Sequence, residues 1–224
     1  MPIQAPIPAP APIPAPAPLP PKRRAIADAA YAEFLAGGYS AASVDAIATR
    51  AAVSKPTVYK HFGSKERLFL EVVGGFLDAA YAELETCPAT LAAAPDLRAA
   101  LVEVQYRWAR RLVSAELMSL RRLVIGEAER FPQLGRLWYE RSRAAIDTPL
   151  AAAVGGLCAS GRLVVPDAEL AVRQLVALTV SVPQLAQTFD TGRAPAEAEL
   201  RAVVAGGVEV FLARYGAEGG RTAP

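Results

Sequence analysis

The sequence predicts an all-α protein, with a small three-helix module near the N-terminus and a larger helical body after it. Apolar residues recur at spacings of three and four along most of the chain, which is the period of a helix with one buried face. Beyond Cys87-Pro88 we find no strand-like alternation, only helical patterns separated by Pro and Gly. With 224 residues, 53% of them hydrophobic, the chain is long enough for one sizeable core or two small ones.

Four segments of the chain differ in composition and pattern. Residues 1–21 are almost wholly Pro, Ala and Ile. Because proline lacks the backbone donor that a helix needs, we expect a disordered or extended tail there. We assign residues 22–67 to the three-helix module, residues 68–216 to the helical body and residues 217–224 to a flexible C-terminal tail.

The three-helix module contains a short helix, a tight turn and a second short helix within residues 43–65. Ser43 can cap the first of these helices by accepting a hydrogen bond from a backbone N–H. The apolar stripe of that helix is Val44, Ile47, Ala48 and Ala51. A preceding helix over residues 22–36, which ends at Gly37-Gly38, is expected to brace the pair from behind.

The second short helix is predicted to have two different faces. Pro56 is tolerated in its first turn. Val58 and Phe62 are spaced to pack on the helix before it. The opposite side carries a hydroxyl, a phenol, an ammonium group and an imidazole, from Thr57, Tyr59, Lys60 and His61. Such groups suit a surface that meets phosphates and base edges, as the recognition helix of a helix-turn-helix does.

The run AVSKPTVYKHFGSKERLF, preceded by SVDAIATRA, resembles the DNA-binding domain of the TetR family of bacterial transcriptional regulators over about residues 22–70. This resemblance implies a homodimeric repressor that binds a double-stranded DNA operator and releases it when a small molecule fills the C-terminal domain. The expected DNA contacts, most of them on phosphates, come from the resemblance and from the outward face of the second helix. They are Ser43, Lys55, Thr57, Tyr59, Lys60, His61 and Lys65.

Positive charge is concentrated in the N-terminal module. Residues 22–70 hold eight basic and four acidic residues, a charge of +4, so the rest of the chain carries −2 of the overall +2. A basic module on a slightly acidic body is the distribution expected of a protein that meets DNA at one end. The same charge distribution would also describe an ordinary solvated surface.

The body is predicted to be a series of helices, beginning with one over residues 65–86. At about 1.5 Å per residue this helix would be about 30 Å long, so it can leave the DNA-binding module and join the body. The other predicted helices cover residues 96–113, 115–130, 132–160 with a kink at Pro149, 167–189 and 195–215.

The last two predicted helices, residues 167–189 and 195–215, carry aliphatic stripes. From these we predict a four-helix homodimer interface, with Gly206-Gly207 allowing close backbone contact. The resemblance implies the same arrangement. The same stripes can also complete the core of one subunit.

Aromatic residues between the module and these last helices indicate a binding cavity. Both tryptophans fall there, and an aromatic cavity with few polar groups suits a small hydrophobic effector. The candidate ligand contacts are Gln105, Tyr106, Trp108, Met118, Arg122, Trp138 and Tyr139. Residues 121–142 also resemble the C-terminal domains of TetR relatives linked to efflux control. Aromatic residues at helical spacing can equally belong to a core.

We find no catalytic constellation, and we therefore expect no enzyme. The single histidine, His61, lies on the proposed recognition helix, and no Gly-rich phosphate loop or metalloprotease motif is present. Cys87 and Cys158 lack metal-ligand spacing, so we expect no metal, no cofactor and reduced thiols. Residues 174–189 are too short and interrupted to span a bilayer, and residues 1–21 do not resemble a secretory signal. We therefore expect a cytoplasmic protein with no membrane partner.

Two other functions stay open at this point. The chain could be a TetR-like activator or dual regulator instead of a repressor. It could also be an all-helical small-molecule-binding protein that does not bind DNA. The exposed Thr57-Tyr59-Lys60-His61 face argues against the second alternative, because a ligand carrier has no use for it.

Overall fold

The computed structural model of the chain describes residues 19–82, 87–191 and 194–217. Within these ranges the regular structure is helical, and the β pairing is limited to an isolated antiparallel bridge between Leu163 and Gly216. This confirms the predicted all-α fold. The two predicted tails lie almost wholly outside the described residues.

The helices, in chain order, begin with a compact group at the N-terminus and continue through the body. They are α1 (Pro21–Ala41), α2 (Val44–Arg50), α3 (Lys55–Phe62), α4 (Lys65–Ala82), α5 (Cys87–Ala93), α6 (Leu97–Leu112), α7 (Ala115–Glu127), α8 (Pro132–Ser142), α9 (Thr148–Ala159), α10 (Ala168–Val176), α11 (Val182–Phe189) and α12 (Glu197–Tyr215). None of these helices is both long and apolar enough to cross a membrane.

Helices α1, α2 and α3 pack with the first half of α4 around a shared apolar core. At most 1% of the surface of each of these core residues is exposed: Ile26, Phe34, Ile47, Val58, Leu68 and Phe69. α1 therefore braces α2 and α3, as the sequence predicts. Because the side chains interdigitate, the orientation of α3 is fixed by this core and not by α3 alone.

Helix α1 continues past its predicted end at residue 36 through a kink. Gly38 adopts φ +71° and ψ −177°, a conformation open to glycine because it has no Cβ. After this kink the backbone N–H of Tyr39 donates to Glu127 Oε1 at 2.8 Å. A Cβ on Gly38 would lie 3.1 Å from the same carboxylate oxygen, so glycine also allows this close approach. The helical conformation is therefore interrupted at Gly38, where the sequence predicts a stop, and helical hydrogen bonding resumes up to Ala41.

The body differs from the prediction at α5 and at the end of α7. The helix α5 was not predicted, because seven residues are too few for a helical period to show. Helix α7 ends at Glu127 and not at residue 130, because the chain turns there into Pro132 at the start of α8. The predicted helix 65–86 is observed as α4 up to Ala82, and residues 83–86 lie outside the described part.

Two long helical segments of the body are each interrupted by a π turn, at Arg143–Asp147 and at Ala177–Ser181. Each π turn is followed by a proline at the second position of the next helix, Pro149 in α9 and Pro183 in α11. A proline inside a helix lacks the N–H donor and its ring collides with the carbonyl four residues earlier. The wider π turn accommodates that carbonyl, and this is the form that the predicted kink at Pro149 takes.

The second π turn is held between α6 and α12. The Thr179 hydroxyl, which is fully buried, lies 2.8 Å from the Leu175 carbonyl oxygen and 2.9 Å from the side-chain amide oxygen of Gln105. On the other side, a Cβ built on Gly207 would lie 2.9 Å from the Leu178 carbonyl oxygen. Gly207 therefore makes its close backbone contact within the chain. The sequence analysis had assigned this contact to the interface between subunits.

Replacing Gly207 with alanine should destabilise the protein. The new methyl group would overlap the backbone of the π turn, and such overpacking costs roughly 1–3 kcal/mol of unfolding free energy. Gly75→Ala in the middle of α4 is the matched control, because no atom lies within 4 Å of its ideal Cβ position. That control should be neutral or up to about 1 kcal/mol more stable. Chemical denaturation checks both variants, and an equal effect in the two would contradict the packing described here.

Candidate functional site

Helix α3 begins and ends at defined caps. The Ser54 hydroxyl oxygen accepts a hydrogen bond from the Thr57 backbone N–H at 3.3 Å, and Pro56 occupies the first turn. At the other end Gly63 has φ +76° and its N–H donates to the Tyr59 carbonyl oxygen at 2.7 Å. These two caps therefore fix where α3 begins and ends.

The turn between α2 and α3 is tight. Ala52 has φ +53°, a left-handed conformation that is uncommon for a residue with a Cβ. The Val53 N–H then donates to the Ala48 carbonyl oxygen at 3.0 Å. At the start of α2 the Ser43 hydroxyl oxygen accepts from Asp45 N–H at 3.2 Å, which is the capping role expected from the sequence.

The two faces of α3 lie as the sequence predicts. Val58 and Phe62 are buried, whereas Tyr59 is 40% exposed and Lys60 is exposed. Thr57 and His61 are half-buried at the edge of this outward face. The Thr57 hydroxyl lies 2.8 Å from that of Ser54. The outward face thus offers a phenol, an ammonium group, an imidazole and a hydroxyl to a partner in solution.

The lysines that begin α3 and α4 already contact other residues of the chain. Lys55 Nζ lies 2.9 Å from Asp45 Oδ2, and this hydrogen bond raises the pKa of Lys55. Lys65 Nζ lies 4.5 Å from the centre of the Tyr39 ring and donates to the Ser40 carbonyl oxygen at 3.4 Å. Partial burial lowers the pKa of Lys65, and the nearby positive charge of Arg130 lowers it further.

Arg23 ties three helices together, which the sequence analysis did not foresee. Its guanidinium donates to the His61 carbonyl oxygen at 3.1 Å, pairs with Glu71 and lies 4.6 Å from the centre of the Phe62 ring. Arg23 therefore joins the first turn of α1 to the end of α3 and to α4. Its partners are up to 48 residues away, so no local pattern reveals them.

The connection between α7 and α8 contacts the N-terminal module. Phe131 packs edge-on against Tyr39 and Phe69, with ring centres 4.5 and 5.7 Å apart. Arg130 Nη1 donates to Ser40 Oγ at 2.7 Å, next to the bond from Tyr39 to Glu127. Aromatic packing and hydrogen bonds thus join this connection to the module at the same few residues.

A cavity of about 370 Å³ lies in the body between α4, α6, α7, α8, α10 and α11. Three aromatic side chains, Tyr81, Trp138 and Tyr139, line it together with residues of both π turns. The Tyr81 hydroxyl lies 2.7 Å from Ser142 Oγ, and burial raises the pKa of Tyr81 to about 12. The volume is within the range of sites that hold small organic molecules.

The ligand contacts proposed from sequence fall into two groups. Trp138 and Tyr139 line the cavity. The other five do not line it: Gln105, Tyr106, Trp108 and Met118 are at most 4% exposed in the core, and Arg122 donates to the Gln187 carbonyl oxygen and to Ser119 Oγ. All seven ligand contacts stay predictions.

The sequence analysis missed the polar residues of the cavity wall. These are Tyr81, Arg121, Ser142, Arg143, Asp147, Arg173, Ser181 and Gln184. A sequence signal for part of this wall existed, because residues 138, 139, 142, 143, 146 and 147 recur at helical spacing on one face. The other contributors come from distant helices, and only the fold brings them to this wall.

Ion pairs connect part of this wall. Arg143 lies 3.8 Å from Asp147 and 3.5 Å from Glu169, and Arg173 lies 3.6 Å from Glu169. Burial raises the pKa of the Asp147 carboxyl, and the Arg143 guanidinium opposes that shift. The wall thus combines apolar rings with a group of fixed positive charges.

Two family profiles match the chain. The profile of the bacterial regulatory proteins of the tetR family matches residues 26–72. The profile of the C-terminal domain of AefR-like transcriptional repressors matches residues 99–217. A curated relative, the HTH-type transcriptional activator FasR of Mycolicibacterium smegmatis, is 51% identical over 45 residues. That match spans 20% of each chain, so it concerns one short region of both proteins.

Solved structures match over most of the chain. A TetR-family transcriptional regulator from Mesorhizobium loti MAFF303099 is 36% identical, with 87% of this chain and 96% of that chain covered and a TM-score of 0.81. A TetR-family regulator from Pseudomonas syringae pv. tomato str. DC3000 is 30% identical, with 87% and 97% covered and a TM-score of 0.67. The flavonoid-responsive regulator FrrA is 30% identical, with 87% and 97% covered and a TM-score of 0.66. The chain therefore belongs to the TetR family of bacterial transcriptional regulators.

Proposed function

We propose that this regulator is a homodimeric repressor, which binds a palindromic operator through α3 and releases it when a small hydrophobic effector enters the cavity. The observation that carries the proposal is the outward face of α3, where Thr57, Tyr59, Lys60 and His61 are displayed on a helix fixed by two caps. Such a face can enter the major groove of DNA and make both phosphate and base contacts.

Three more residues of the module are proposed to bind phosphates. Ser43 lies at the N-terminus of α2, where backbone N–H groups and the helix dipole favour an anion. Lys55 and Lys65 lie at the starts of α3 and α4. The exposed ion pair of Lys55 with Asp45 is worth little, so a DNA phosphate can replace the carboxylate at small cost.

The dimer is proposed to form through α11 and α12. Leu178, Val182, Leu185 and Phe189 recur at spacings of three and four, and all are exposed on the single chain, Phe189 by 82%. Val210 on α12 is also exposed. Exposed apolar stripes of this kind are typical of protein interfaces. A symmetric dimer would place two copies of α3 about one DNA turn apart, roughly 34–36 Å, as a palindromic operator requires.

Release is proposed to pass from the cavity to the module along two routes. Tyr81 lines the cavity on α4, and α4 begins at Lys65 beside α3. Trp138 and Tyr139 line it on α8, whose preceding connection packs on Tyr39 through Phe131. A ligand that prefers one position of these helices would change the spacing of the two α3 helices and so lower operator affinity.

We favour repression over activation because the match to a repressor profile is much longer than the match to an activator. The repressor profile covers the body, residues 99–217, whereas the activator FasR matches over only 45 residues. FrrA is named as flavonoid-responsive, which supports an aromatic molecule as the effector. Selection of bound fragments from the source genome, followed by in vitro transcription from them, tests the proposal. Absence of any selected fragment would favour a ligand-binding protein that does not act on DNA.

Two substitutions on α3 should affect different properties, one operator binding and the other stability. Tyr59→Ala should weaken operator binding by roughly tenfold or more, because it removes a surface contact to DNA, and should change the unfolding free energy by less than about 0.5 kcal/mol. Phe62→Ala should cost about 3–5 kcal/mol of stability, because Phe62 is a core side chain. Fluorescence anisotropy with a selected operator and thermal circular dichroism measure the two effects. Reversed effects would show that the faces of α3 are wrongly assigned.

Leu185→Asp should convert the dimer to a monomer and weaken operator binding by a large factor. The buried charge would face the partner's apolar stripe without a counter-ion. Val164→Asp is the matched control, since Val164 is 58% exposed and Leu185 is 59% exposed, but Val164 lies outside α11 and α12. Sedimentation equilibrium gives the mass of each variant. If Leu185→Asp stayed dimeric, the interface would lie elsewhere.

A further inference from the structure

We propose that the cavity takes an organic anion, a molecule with an aromatic or aliphatic body and one carboxylate or phenolate, and that Arg121 binds the acid group. This inference rests on the proposed function, because it assumes that the effector enters this cavity. It adds the charge of the ligand and the residue that recognises it. Neither follows from the family, and both come from the side chains that line the cavity wall.

Positive charges outnumber negative charges on the cavity wall. Three arginines and one aspartate line the cavity, a net charge of +2. They are Arg121, Arg143, Arg173 and Asp147. Glu169, which pairs with two of these arginines, reduces the balance only to +1. The net positive charge of this wall would repel a cation and attract an anion at short range.

Arg121 is distinguished from the other two arginines of this wall by its described contacts, which include no carboxylate. Arg143 and Arg173 are both paired with Glu169, and Arg143 also with Asp147. The described contacts of Arg121 are different, because its Nε donates to the neutral Thr188 hydroxyl at 3.2 Å and it has no carboxylate partner. A half-buried guanidinium without an acidic partner is costly to desolvate further, and a ligand carboxylate supplies the missing charge.

The rest of the wall fits the body of such an anion. Trp138 and Tyr139 provide flat apolar surface, and Leu112, Ile146 and Val180 complete it. The charge of Arg121 is felt at this surface. It lowers the pKa of Tyr81, although burial raises that pKa by more. About 370 Å³ is near the lower end of the volumes of small-molecule sites, so the molecule should be small.

The decisive experiment compares acids with their neutral amides. Calorimetry at pH 7.5 is performed on the full-length protein with naphthalene-2-carboxylate and its carboxamide, 3-phenylpropanoate and its amide, and decanoate and its amide. For at least one pair the acid should bind roughly tenfold or more tightly than the amide, because a charged hydrogen bond to Arg121 is lost in the amide. If every amide binds as well as its acid, or if no acid binds, the inference is wrong.

Three arginine variants locate the effect. Arg121→Gln should reduce the preference for the acid to within about twofold, with the affinity for the amide unchanged. Arg136→Gln on α8, another helix that lines the cavity, is the control, because Arg136 is exposed and does not line the cavity, and it should keep the preference. Arg122→Gln tests the neighbouring arginine, whose contacts are to Gln187 and Ser119. Loss of the preference in Arg122→Gln but not in Arg121→Gln would overturn the assignment.

Failure of the inference about the ligand can be distinguished from failure of the proposed function. Operator affinity is measured in parallel, with and without the acid that binds. If the acid binds in an Arg121-dependent way and operator affinity stays the same, the inference about the ligand holds and release by an effector fails. If instead an amide releases the operator as well as the acid does, release holds and the inference about charge fails.

Discussion

Two prolines set the geometry of the body. Pro149 and Pro183 each stand at the second position of a helix that would otherwise run on unbroken from the helix before it. The missing N–H and the bulk of the ring rule out regular α-helix around each of them, and the chain responds with a π turn. Both π turns contribute to the cavity wall. The second one also packs against α12 at Gly207 and against α6 at Gln105, so the same distortion shapes the cavity and fixes two neighbouring helices.

The cavity and the N-terminal module are connected by elements that belong to both. Helix α4 carries Tyr81 at the cavity and Lys65 at the module. The chain between α7 and α8 reaches the module through Phe131, close to where α8 contributes Trp138 to the cavity wall. Interlocked aromatic rings transmit small displacements because a packed core is not continuously deformable. Under the proposed function, this arrangement would be the physical route between a ligand in the cavity and α3.

The sequence was most informative where contacts are local. The cap at Ser43 and the inward positions of Val58 and Phe62 follow from spacing within about twenty residues. The cavity was harder, because its wall is assembled from several helices and the π turns change the helical period. Aromatic content could not separate Trp138, which lines the cavity, from the buried Trp108.

The charged residues of the cavity wall lie outside the buried core. Arg121 and Arg173 keep contact with water, unlike the buried pair Gln105 and Thr179. Substitutions at partly exposed positions usually cost little stability, whereas those in the core cost much. In a lineage of such proteins, recognition chemistry can therefore diverge by single replacements on this wall while the scaffold, set by its prolines and its close-packed glycine, is inherited without change.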